Sequence, residues 1–105
     1  MASFHYAFKG KDIVSTRKFY VEILGCKEGR STESWIDFDF FNNQLSAHIS
    51  DDFPELGYCG KVDRISVPIP HFGCLLDKDA FQKIRKKFES EKIDFIVKAS
   101  KEIFK

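Results

Sequence analysis

A chain of 105 residues that is 43% hydrophobic, with 12 phenylalanines, can bury one aromatic-rich core and has none of the composition of a disordered segment. Lysine plus arginine number 17 against 16 aspartates and glutamates, a net charge of +1, so no overall field favours nucleic acid or an anionic membrane. The three cysteines, Cys26, Cys59 and Cys74, lack CxxC spacing, and no long apolar run or basic leader opens the chain. A reduced, cytoplasmic, soluble protein is the expectation.

Residues 3–8 alternate, with Phe4, Tyr6 and Phe8 on one face and His5 on the other, as a strand with one buried side requires. Gly10 permits a sharp exit and Asp12 stands as N-cap of a helix over 13–24. The apolar positions Ile13, Thr16, Phe19, Tyr20, Ile23 and Leu24 line one side of that helix, and Gly25 stops it. A short strand over 26–30 and a polar turn over 31–34 follow.

Residues 35–41 alternate again. Ile36, Phe38 and Phe40 share one face, and Trp35, Asp37 and Asp39 share the other. Asn42-Asn43 reads as a two-residue hairpin connection. The returning strand, 44–50, turns Leu45, Ala47 and Ile49 inward and Gln44, Ser46 and His48 outward.

Residues 51–66, with Pro54, Gly57 and Gly60, match neither period and are expected to be a linker. A strand broken at its start by Pro68 and Pro70 is expected over 67–76, carrying His71. Asp77 or Asp79 caps a second helix over 80–88 with Phe81, Ile84 and Phe88 on its inner side, and Phe95-Ile96-Val97 centre a strand over 93–99. The stretches around His5 and around His71 are alike: a histidine, a tight exit, an aspartate, then an amphipathic helix. They read as a duplicated half-domain, with 1–50 a first βαβββ module, 51–66 a linker and 67–105 an incomplete second module, in an α+β fold.

All three histidines fall on expected strands, away from the large apolar residues. Neutral imidazole is a common ligand for divalent metals, so His5, His48 and His71 are candidate metal ligands. Trp35, Asp37, Asp39 and Arg30 are candidates to bind a substrate, and Arg30 and Gln44 to hold its carboxylate. No phosphate-cradling glycine loop and no GxSxG elbow occurs.

His5 and Asp12, the Phe19-Tyr20 pair, Leu24-Gly25 and then Pro70-His71-Phe72-Gly73 resemble the vicinal oxygen chelate superfamily. That group includes glyoxalase I, the extradiol dioxygenases and the bleomycin and fosfomycin resistance proteins. The resemblance implies paired βαβββ modules enclosing a divalent ion (Fe, Ni, Zn or Mn), a homodimer, and an isomerase, lyase or dioxygenase-like reaction on a small oxygen-rich molecule. It implies His5, His48 and His71 as ligands and a fourth, a glutamate, on the final strand. Glu102 lies too early for that role, and the second module reads as C-terminally truncated. The alternative is a non-catalytic sequestering protein of the same fold, trapping a planar ligand with Trp35, Phe38, Phe40 and Tyr58.

Overall fold

The computed structural model describes residues 2–52, 57–62 and 64–95. The chain divides into two compact units, Met1–Phe53 and Pro54–Lys105.

The first unit is a βαβββ module. Strand β1 (His5–Gly10) leads into helix α1 (Ile13–Arg17), which continues as a π-helical turn over Lys18–Ile23; β2 (Lys27–Ser31), β3 (Trp35–Phe40) and β4 (Asn43–Ile49) follow. The sheet order is β1-β4-β3-β2, with β1 parallel to β4 and the other pairs antiparallel. Phe8, Phe38 and Tyr20 explain why the helix lies against this sheet. The Tyr20 ring is stacked on Phe38 at 4.9 Å and tilted against Phe8 at 5.8 Å, and Ile36, Leu45 and Ala47 beside them are completely buried. The expected alternation therefore holds: Ile36, Phe38, Phe40, Leu45 and Ala47 form the core.

Asp12 caps α1 as expected, its Oδ1 accepting from the Ser15 backbone N–H at 2.7 Å. The single helix expected over 13–24 is instead an α turn that widens into a π turn, with the Leu24 N–H reaching the Phe19 carbonyl five residues back. Through this turn Tyr20 stays against Phe8 and Phe38 and Ile23 stays buried. Gly25 closes it at φ +77°, where the Cys26 N–H bonds the Tyr20 carbonyl at 2.8 Å.

Two further expectations shift. The hairpin turn is Phe41-Asn42, at φ 49° and 69°, rather than Asn42-Asn43, because Phe40 pairs with Asn43 and the Asn43 side chain is taken up by the Phe40 and Phe41 carbonyls. In β2, three steps from Glu28 to Ser31 face two on β3, a bulge. Glu28 thereby stays on the helix side, bonded to Arg17 at 2.8 Å, while Arg30 emerges on the opposite face beside Asp37 and Trp35.

The second unit opens with a hairpin, β5 (Gly57–Val62) and β6 (Ile65–Ile69), where a linker was expected over 51–66. The Gly and Pro content that hid the alternation suits a hairpin as well as a linker: Gly60 sits where a Cβ would meet the Ile69 side chain at 3.0 Å. β6 stops at Ile69 instead of running through 76, since Pro68 and Pro70 offer no N–H to a ladder. Helix α2 (Lys78–Ser90) is capped by Asp77, whose Oδ1 accepts from Ala80 N–H at 2.8 Å. Of the strand expected over 93–99, residues 93–95 take no strand conformation and the rest lies outside the described residues.

Candidate functional site

With α1 on one face of the first sheet, the other face is left to polar residues, and the pairing register orders them into rows. His5, Gln44, Asp39 and Lys27 form one row across the four strands; Ala7, Ser46 and Asp37 form the next; Lys9, His48 and Trp35 form the third. Neighbours within a row stand about 4.8 Å apart, the interstrand spacing. Beside Gln44 and Asp39 of the first row and Asp37 of the second lies an open cavity of ≈ 590 Å³, which Ser3, Arg30 and Asn43 also line.

Asp37 is the buried charge of this face, 8% exposed. Its Oδ1 accepts from the Ser46 hydroxyl at 2.6 Å and its Oδ2 from Gln44 Nε2 at 3.3 Å, with the Arg30 Nε 4.0 Å away. Alternating acids on a strand read equally well as a solvated face; burial of Asp37 distinguishes it from Asp39, which is exposed and accepts from the Asn42 N–H at 2.9 Å. The Arg30 guanidinium lies 5.8 Å over the Trp35 ring, and Trp35 is tilted against His48 at 6.5 Å. Three of the four candidate substrate-binding residues, Arg30, Asp37 and Asp39, thus line one cavity, while Trp35 flanks it with His48.

The three histidines are distributed differently. His5 faces Gln44, whereas His48 lies four positions further along β4, about 13 Å at a strand's rise per residue. That spacing keeps the two imidazoles out of one coordination sphere. His71 lies beyond β6 rather than on a strand, in the second unit. Its Nδ1 is 2.7 Å from the Pro68 carbonyl oxygen, which only accepts, so Nδ1 carries a proton and the tautomer of the neutral ring has its lone pair on Nε2. Among the described residues no three of His, Cys, Asp and Glu cluster as metal ligands do. The donor that histidine placement overlooks is Gln44, an amide oxygen directly across from His5; only the β1–β4 register reveals it. His5 and Gln44 suit a divalent ion as two donors of a set, whereas His5 and His48 stand too far apart along the strands to share one. Phe38 and Phe40, at 1% and 6% exposure, belong to the core and not to an aromatic ligand trap.

No family model matches the chain, and no curated protein matches it in sequence. Solved structures do. A glyoxalase/bleomycin resistance protein/dioxygenase from Alicyclobacillus acidocaldarius is 33% identical over 90% of this chain and 66% of its own, with a TM-score of 0.70. The fosfomycin resistance protein FosX from Listeria monocytogenes is 14% identical over 92% of this chain and 70% of its own, at a TM-score of 0.68. Lactoylglutathione lyase from Agrobacterium tumefaciens is 16% identical over 89% and 72%, at 0.56. The βαβββ module with its polar open face and these likenesses define the class: a mixed α+β protein of the glyoxalase fold. The structures the chain resembles are members of the glyoxalase/bleomycin resistance/dioxygenase family, the vicinal oxygen chelate superfamily, and the chain shares their fold. It spans 66% of the length of the first of these structures, just under two thirds. No helix among the described residues is long and apolar enough to cross a membrane.

Proposed function

We propose that this chain is the metal- and substrate-binding part of a vicinal oxygen chelate enzyme acting on a small, oxygen-rich molecule. The observation that carries the proposal is the pairing of His5 with Gln44, an imidazole and an amide oxygen on adjacent strands, with Gln44 lining the polar cavity. His5 and Gln44 would hold a divalent ion from the first unit, and within the second unit His71, its Nδ1 engaged by the Pro68 carbonyl, is a candidate donor in its own right. Such an ion, when bound, acts as a Lewis acid on vicinal substrate oxygens. Arg30, loosely held over Trp35, supplies donors for a substrate carboxylate, while Asp39 and Asn43 bound the cavity. His48 belongs on this reading to the substrate-facing row with Trp35. A homodimer is part of the same proposal, since a second copy would bring further donors to the open face; sedimentation equilibrium at micromolar concentration tests it.

The experiment is elemental analysis after loading with Ni2+, Zn2+, Mn2+ or Fe2+ and desalting. Wild type and H48A are expected to retain close to one ion per site, and H5A to lose it. Equal retention by H5A and wild type sinks the proposal. A second reading, sequestration of a planar molecule without metal, draws on the stack of Arg30, Trp35 and His48. Quenching of Trp35 fluorescence by a planar aromatic ligand that persists in EDTA would favour it.

A further inference from the structure

Neither the ligand set nor the substrate contacts use the buried carboxylate of Asp37. An ionised carboxylate only accepts hydrogen bonds. Whatever approaches Asp37 must therefore present N–H or O–H, and two groups do, the Ser46 hydroxyl at Oδ1 and the Gln44 amide at Oδ2. For glutamine this has a directional consequence. Its two amide atoms differ, and the end that meets Asp37 has to be the NH2, which leaves Oε1 as the free end. Gln44 Oε1 takes no hydrogen bond among the described residues, and Gln44 is exposed at the cavity while Asp37 beneath it is 8% exposed. The buried group holds the exposed one.

We propose that Asp37 is a positioning residue: by accepting from Gln44 Nε2 it fixes the amide so that Oε1, not Nε2, is the end left free for a metal ion. An amide turned the other way would offer a donor, which repels a cation. The inference rests on the reading of His5 and Gln44 as ligands, and extends it to a residue on the next strand that never touches the ion. Ser46 has a separate part. Its hydroxyl holds the other carboxylate oxygen, so it steadies Asp37 without addressing Gln44.

The test is calorimetric titration of Ni2+ into the whole chain as wild type, H5A, Q44A, D37N, S46A and D37N/Q44E. Replacement of a residue that orients a ligand typically weakens metal binding about 10- to 100-fold, and D37N is expected in that range. S46A should stay within about threefold of wild type, since the bond from Gln44 to Asp37 survives it. In D37N/Q44E the polarity of the bond is exchanged, an amide at 37 donating to a carboxylate at 44 that is itself a strong ligand, and affinity should return at least to within about threefold of wild type. Ni2+ affinity that is unchanged in D37N while Q44A is weakened, or absence of rescue in the double variant, overturns the positioning role. Unchanged affinity in H5A and Q44A overturns the metal reading instead, and 1H–15N spectra of the metal-free protein then judge Asp37 separately: the Gln44 side-chain amide has an ordered, shifted pair of resonances that D37N collapses to solvent-exposed values. Where D37N fails to fold, the 1H–15N spectrum of the wild type carries the test: a Gln44 side-chain amide pair at solvent-exposed values overturns the proposal.

Discussion

Trp35 and Phe38 lie three positions apart on β3 and on opposite faces, so truncating each tests which side of the sheet is core. Phe38 is 1% exposed and stacked on Tyr20 at 4.9 Å, between the sheet and the helix. Removing its ring leaves a hole that a β-sheet cannot close, and such Phe→Ala changes cost about 3–5 kcal/mol, a large share of the roughly 5–15 kcal/mol that holds a domain folded. Trp35 faces the open side, where its ring contacts are with Arg30 and His48. An exposed cation–π contact is worth about 0.5–1 kcal/mol, and Trp35→Ala is expected to cost about 1 kcal/mol. At roughly 4–8 °C per kcal/mol for a chain of this size, Phe38→Ala should lower the melting temperature by more than about 12 °C and Trp35→Ala by less than about 8 °C. Urea unfolding followed by circular dichroism, which needs no tryptophan signal, measures both. Equal costs, or a cost below about 1.5 kcal/mol for Phe38→Ala, would refute the division into a core face and a ligand face.

Burial pushes the Tyr20 phenol up to about 12 and the Cys26 thiol up to about 11, from 10.0 and 9.0. Because the unfolded chain releases these protons first, stability should be level up to about pH 9 and decline as pH rises through 9–12; urea midpoints that stay constant to pH 11 would contradict this. Cys59 and Cys74 are exposed and Cys26 is buried, so iodoacetamide at pH 8 should modify two thiols of the native protein and the third only in urea, as read by intact mass. At Gly25, φ is +77° and an added Cβ would meet nothing within 4 Å, so the penalty for Gly25→Ala is conformational alone, roughly 1–2 kcal/mol by denaturant midpoint, and Gly25→Asn should cost less.

Much of the first unit is written in local chemistry. Period-two alternation in β3 and β4 separates Phe38 from Asp37 and Leu45 from Ser46 without reference to any other strand, because neighbouring side chains of a strand must point to opposite faces. Asp12 and Gly25 mark the ends of the helix for equally local reasons, a side-chain acceptor for free N–H groups and a backbone that tolerates positive φ. The second unit is harder to read: a glycine at 60 that lets Ile69 approach, and prolines at 68 and 70, suit a loop as well as the hairpin that forms. The candidate site lies further still from the sequence. Which face His5, Gln44 and His48 occupy is local, but which of them are neighbours depends on how β1 slides against β4, a parallel pair joined through a helix and two strands. A slide of four residues would set His5 beside His48; the observed register sets it beside Gln44. Only that tertiary pairing, with the bulge that brings Arg30 round to Asp37, decides that Gln44 rather than His48 stands across from His5 and beside a buried carboxylate.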